Sequence, residues 1–149
     1  MREHPDHHDA ELLLRLYDLR REEKLRQARQ WFLTEFEAAP AEELFKKYPP
    51  TSKENTYYRM VVSYWDMAAS IVNNGLIKED LFFENTGELL AVWLRAEPVI
   101  TEMRRLFKNP NYSKNLETLA DKYEKWLQER APGALEAMMQ RIQAAKKPA

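Results

Sequence analysis

The sequence predicts an all-α fold, a single compact helical bundle of about five to six helices. Three observations carry that prediction. The 149 residues include only three glycines, Gly75, Gly87 and Gly133, too few for hairpin-rich β folds, doubly wound sheets or glycine-rich phosphate loops. Apolar residues recur at three- and four-residue spacing in segment after segment. A hydrophobic fraction of 44%, with four tryptophans, is enough to build a real core at this length.

In chain order, residues 1–8 read as a flexible tail around Pro5, carrying His4, His7 and His8 beside Asp6. A loose end of this kind has no fixed geometry for a metal, so no metal site is assigned. Asp9 is the expected N-cap of a long first helix reaching to about Ala38, with Leu13, Leu14, Tyr17, Leu25, Ala28, Trp31, Phe32 and Phe36 on its inward face. Leu12, Leu16 and Leu19 lie nearly opposite, at i, i+4 and i+7. That stripe ends within three turns, which makes it an interface candidate for a homodimer or a partner helix, or a patch covered by the C-terminal helix.

A short helix, AEELFKKY, follows Pro40 and stops at Pro49 and Pro50. Residues 56–75 then form the central buried helix. Tyr57, Tyr58, Val61, Val62, Tyr64, Trp65, Ala68, Ala69, Ile71 and Val72 cover more than half of its circumference, and Gly75 stands where a left-handed residue would end it. Arg59, Ser63, Asp66, Ser70 and Asn73 form one narrow polar strip, expected to face water. Thr51 and Glu54 have capping-box spacing for its start.

After a brief turn bearing Leu81, Phe82 and Phe83, residues 88–107 keep one apolar phase through Pro98, which predicts one proline-kinked helix. KNPNYSKN is a connector. Leu116, Leu119, Ala120, Tyr123, Trp126 and Leu127 mark the next helix, and Pro132 at its first position opens the last, with Leu135, Met138, Met139 and Ile142 inward. No repeat or linker divides the chain, so residues 9–146 are read as one helical domain and residues 147–149 as a frayed end.

The signals from residue 61 to residue 126 resemble a bacterial family, domain of unknown function 4760. The carriers are the pair Trp65 and Asp66, NNGLIKEDL from Asn73 to Leu81, Trp93, Pro98 with Ile100, Arg104, and LETLAD from Leu116 to Asp121. The resemblance implies a compact helical domain and brings no activity with it. Members of that family often carry membrane-spanning segments ahead of this region, whereas the leading helix here is too charged to span.

Formal net charge is -1, which gives no field to draw the protein onto nucleic acid or an anionic membrane. Cysteine is absent, which removes thiol catalysis and thiolate metal sites and fits a cytoplasmic location. No segment approaches the roughly 20 apolar residues of a membrane span, and the first residues lack a signal-peptide pattern. Every histidine precedes residue 9, so carboxylate-histidine metal bundles are excluded. No P-loop, nucleophile elbow or zincin motif occurs. No catalytic residue and no cofactor is assigned.

Two polar groupings remain. Glu97 and Arg104 flank the apolar seam near Trp93, a candidate pocket together with Trp65. Arg104, Arg105, Lys108 and Lys114 surround the connector beside Ser113 at a helix start, where free backbone donors could receive a small anion. The chain therefore reads as a non-enzymatic interaction or scaffold module, with a small-molecule or anion binding domain as the alternative.

Overall fold

The computed structural model describes residues 5–145. Among them are eight helices and no strand: α1 His7–Arg20, α2 Glu23–Thr34, α3 Ala41–Lys47, α4 Lys53–Asn73, α5 Glu79–Asn85, α6 Glu88–Leu106, α7 Lys114–Arg130 and α8 Pro132–Ala145. The all-α expectation holds, and eight helices replace the five to six expected.

The main departure lies at the N-terminus, where the long first helix is two. Asp9, Leu12, Leu13 and Leu16 face inward from α1, and Leu25, Ala28 and Phe32 face inward from α2. Leu16 and Leu25 are nine residues apart, about half a turn out of phase at roughly 100° per residue. A straight helix could not bury both. Arg21 ends α1, and the Glu22 carboxylate then accepts from the backbone N–H groups of Lys24 and Leu25 to restart the chain as α2. Those two hydrogen bonds lower the pKa of Glu22.

The start of α1 also differs from expectation. Asp6, not Asp9, is the N-cap, and Asp6 and Asp9 form a reciprocal capping box, so His7 and His8 sit in the first helical turn. His4 lies outside the described residues, as does the C-terminal stretch from Lys146. Asp9 is fully buried, and its carboxylate accepts from the Lys78 N–H at the start of α5.

The central helix α4 packs most extensively against α2 and α7. Val61, Trp65, Ala68 and Ala69 are buried at its middle. Ser52 caps its start by accepting from Asn55 N–H. At its end Gly75 takes φ +79°, Gly75 N–H donates to Val72 and Leu76 N–H to Ile71, the paired closure of a Schellman motif. The α6 helix runs unbroken through Pro98, whose ring is exposed on the outer face. It ends in a second Schellman closure, Asn109 N–H donating to Arg104, with Lys108 at φ +52° where glycine is usual. The α8 helix packs on α7.

A polar network locks α1, α2, α4 and α6 together. Glu88 accepts from Arg29 Nε at 2.7 Å and Nη2 at 2.6 Å and from Trp65 Nε1 at 3.1 Å, while Tyr64 donates to the Leu16 carbonyl. The bidentate pairing raises the pKa of Arg29.

Candidate functional site

The polar strip of α4 does not simply face water. Asp66 Oδ1 accepts from Leu116 N–H at 2.9 Å, in the first turn of α7, and Asn73 Nδ2 donates to the Asn115 carbonyl at 3.1 Å. The reason lies in the start of α7. Its N-cap residue, Ser113, is buried in the left-handed region at φ +55° and makes no side-chain cap bond. A helix start has unpaired N–H groups and a positive dipole end, so a carboxylate reaching it from a neighbouring helix is favoured.

N-terminal to that contact, α4 stands apart from α3 and from the end of α6, leaving a cleft of about 360 Å³. One wall is the α4 strip, where Asn55, Arg59, Ser63 and Asp66 follow one another along the helix. Facing it are Phe36 after α2, Leu44 and Phe45 of α3, and Tyr48. Met103, Phe107, Tyr112 and Ser113 close the α6 end. The size falls within the roughly 300–1,000 Å³ of small-molecule sites, and the lining is of the usual kind, apolar and aromatic with a few polar groups.

The aromatic wall is preassembled. Phe36 stacks on Phe32 with ring centroids 4.8 Å apart and lies 5.4 Å from Tyr58 and 5.9 Å from Tyr48. Asn55 is buried, donating to the Tyr48 carbonyl and accepting from Arg59 Nε at 3.0 Å. Tyr58 is buried, with its hydroxyl beside Tyr112. Burial, with Tyr112 close by, pushes the Tyr58 phenol well above its usual pKa of 10.

The residues singled out from sequence divide. Ser113 lines the cleft. Arg104 does not pair with Glu97, which is exposed on α6. Its Nε donates to the Tyr112 carbonyl at 2.8 Å, its Nη2 lies 3.1 Å from Glu117, and its guanidinium sits 5.9 Å from the Trp93 ring centroid. Trp93, Glu97 and Arg104 are therefore not in the cleft, and Trp65 is buried against Glu88. Lys114 also turns to Glu117, at 2.9 Å, and the Lys114 hydrogen bond is the main reason the Glu117 pKa is lowered. Arg105 and Lys108 are exposed. At this helix start Leu116 N–H is bonded to the protein's own Asp66.

The leucine stripe is also redrawn. Leu16 is only 5% exposed and belongs to the core, Leu12 is half-buried, and Leu19 is 48% exposed. Leu14 and Tyr17, expected to face inward, are 62% and 44% exposed. Beneath them, Leu13, Tyr64, Trp65 and Phe82 contribute to a second cavity of about 230 Å³.

A family model described as Domain of unknown function (DUF4760) matches residues 5–126. The chain belongs to this family. No curated protein and no solved structure gives a significant match. The DUF4760 match extends beyond the stretch in which the sequence signals were recognised, taking in α1 to α6 and most of α7, and α8 lies outside it. All residues of the cleft fall inside the match, so the cleft belongs to the DUF4760 portion of the chain. Among the described residues no helix is long and apolar enough to cross a membrane, and no three His, Cys, Asp or Glu side chains converge as a metal site.

Asn55, Tyr58, Arg59, Ser63 and Asp66 were not read as site residues from the sequence. The signal that could have found them is the strip itself: a run of polar residues on an otherwise buried helix needs an explanation other than solvent.

Proposed function

We propose that this DUF4760 domain is a non-enzymatic binding module whose cleft between α3, α4 and the end of α6 receives a small, largely apolar molecule. The observation that carries the proposal is an aromatic-lined cleft of about 360 Å³ whose wall is already assembled around Phe36, Tyr48 and Tyr58. The arrangement suits binding better than catalysis. Ser63 Oγ donates to its own helix at Met60, and the Asp66 carboxylate takes its hydrogen bond from Leu116 N–H, so among the described lining residues no hydroxyl is hydrogen-bonded to a base.

A thermal-shift screen of small aromatic and aliphatic compounds, followed by NMR titration, tests the reading. The expected result is a saturable rise in melting temperature, with shifts at Val62, Met103 and Tyr112 that Val62→Trp abolishes by filling the cleft. If hits leave those positions unmoved, or bind the folded Val62→Trp variant equally well, the cleft is not the site.

A second reading rests on the outward face of α1. Leu14 and Tyr17, three residues apart on α1, expose apolar surface together, and an interaction or scaffold role would use it, as a homodimer or with a partner helix. Light scattering of the wild type and Leu14→Glu tests it: a dimer that becomes a folded monomer supports the role, and a wild type already monomeric at high micromolar concentration removes the homodimer. We place the domain in the cytoplasm as part of the same proposal, supported by its cysteine-free composition.

A further inference from the structure

Resting on the reading of the cleft as a ligand site, we propose that its ligand is a small organic cation, an amine or quaternary ammonium carried on an apolar body. The charge pattern of the cleft leads to this class. Asp66 Oδ1 is held by Leu116 N–H, whereas Oδ2 receives no donor from the described residues. The other charged lining residue, Arg59, is drawn the opposite way along α4. Its Nε donates to Asn55 Oδ1 and its Nη2 to Thr56 Oγ1 at 3.4 Å, both toward the start of the helix. Asn55 and Thr56 lie about 15 Å from Asp66 along the axis at 1.5 Å per residue. Arg104 and Lys114 are both paired with Glu117, Arg104 also donating to the Tyr112 carbonyl at 2.8 Å, and neither lines the cleft. The Asp66 end of the cleft thus offers one carboxylate oxygen beside Phe107 and Tyr112, whose rings meet edge to face at 5.8 Å. Aromatic faces next to a carboxylate attract a cation by both the ring quadrupole and direct charge.

The same geometry disfavours an organic anion. One backbone donor at the α7 start, Leu116 N–H, is already bonded to Asp66, and an incoming carboxylate would meet Asp66 itself. A neutral apolar molecule would fill the aromatic portion and leave Oδ2 to water.

The test uses the full chain and three probes of one shape: benzyltrimethylammonium, benzyl alcohol and benzoate, titrated while backbone amides are followed by NMR. The expected result is saturable shifts at Val62, Ser63 and Tyr112 with the cation, at a Kd about tenfold or more below that of the alcohol, and weakest binding by benzoate. Asp66→Asn keeps an oxygen for Leu116 N–H and should bring the cation to the affinity of the alcohol. Ser63→Lys adds a positive charge one turn from Asp66 without touching the α7 cap, and should weaken the cation alone. It decides the matter if Asp66→Asn proves too unstable to titrate. If cation and alcohol bind alike and neither variant separates them, the cation class is overturned while the cleft stands as a site. If none of the three probes moves cleft amides, the cleft reading itself fails, and the inference with it.

Discussion

Removing the Asp66 carboxylate should loosen the start of α7, and the size of the effect can be worked from the contacts. The first turn of α7 has no cap of its own, because Ser113 is left-handed and makes no side-chain bond to it. Asp66 supplies one from α4, accepting from Leu116 N–H at 2.9 Å, and Leu116 is fully buried. Loss of an N-cap acceptor costs about 0.5–2 kcal/mol, and loss of a negative charge at a helix start about 0.3–1 more. Asp66→Ala should therefore destabilise by about 1–3 kcal/mol. Asp66→Asn, which retains an acceptor oxygen, should lose under about 1. Urea melts at neutral pH measure both, with the slope unchanged because the surface exposed on unfolding is the same. Native-state hydrogen exchange should show the Leu116 amide losing protection in the alanine variant first. If Asp66→Ala melts with wild-type midpoint and Leu116 stays protected, the cross-helix cap contributes nothing and the strip of α4 is a solvated face after all.

Pro98→Ala should leave the fold intact and raise stability by up to about 3 kcal/mol, since alanine restores the donor to the Leu94 carbonyl in a continuous helix with an exposed proline. A lower denaturation midpoint would contradict this. Tyr64 is buried against α1, and burial is the main cause of its pKa rising from 10 to about 12. The native state therefore holds this phenol proton more tightly than the unfolded chain does, so the associated stability is complete below pH 10 and drains as pH rises toward 12. Urea midpoints collected from neutral to alkaline pH should fall less steeply for Tyr64→Phe, and parallel curves would refute the assignment. Leu16→Glu should unfold the chain by burying a charge, whereas Leu14→Glu should keep wild-type helical circular dichroism. A folded Leu16→Glu would return Leu16 to the surface.

The elements that were legible in the sequence are those fixed by local rules. The central helix announced itself through a dense apolar pattern and through Gly75, and the structure ends it there with both hydrogen bonds of a Schellman motif. The phase of Leu89, Trp93, Ala96 and Ile100 carried one helix across Pro98, and Pro132 marked the start of α8. The first helix failed because two stripes half a turn apart compete for the core. Continuity favoured Leu14 and Tyr17, but a break at Glu22 lets Leu16 and Leu25 both go inward. Asp6 falls in the stretch around Pro5 that reads as a tail, yet it caps α1, and Asp9 answers it in the capping box. The cleft was not legible at all. Its walls come from residues 36 to 113, and nothing local says that Asp66 meets Leu116 or that Phe36 faces Tyr58.

What brings those walls together is a shared solution to incomplete helix ends. Four helices, α3, α5, α6 and α7, start without a side-chain cap of their own. Three of them, α3, α5 and α7, receive a carboxylate from a distant helix: Glu102 accepts from Ala41 N–H, Asp9 from Lys78 N–H and Asp66 from Leu116 N–H. The opposite end of α2 is closed by a cation. Arg95, only 5% exposed, donates from Nε to the Phe32 carbonyl at 2.9 Å and from Nη2 to the Phe36 carbonyl at 2.6 Å. Burial lowers its pKa, yet no carboxylate among the described residues pairs with it, so the carbonyls of Phe32 in α2 and Phe36 just after it supply its stabilisation. Three of these four contacts end on segments that border the cleft: Ala41 opens the helix of Leu44 and Phe45, Leu116 follows Ser113, and Phe36 is itself a wall. A cavity held this way is formed before any ligand arrives, which lowers the ordering cost of binding. Double variants follow directly. Glu102→Ala combined with Asp66→Ala should weaken a cleft ligand, read as Kd by NMR titration, beyond the product of the single effects, because each release lets a different wall move.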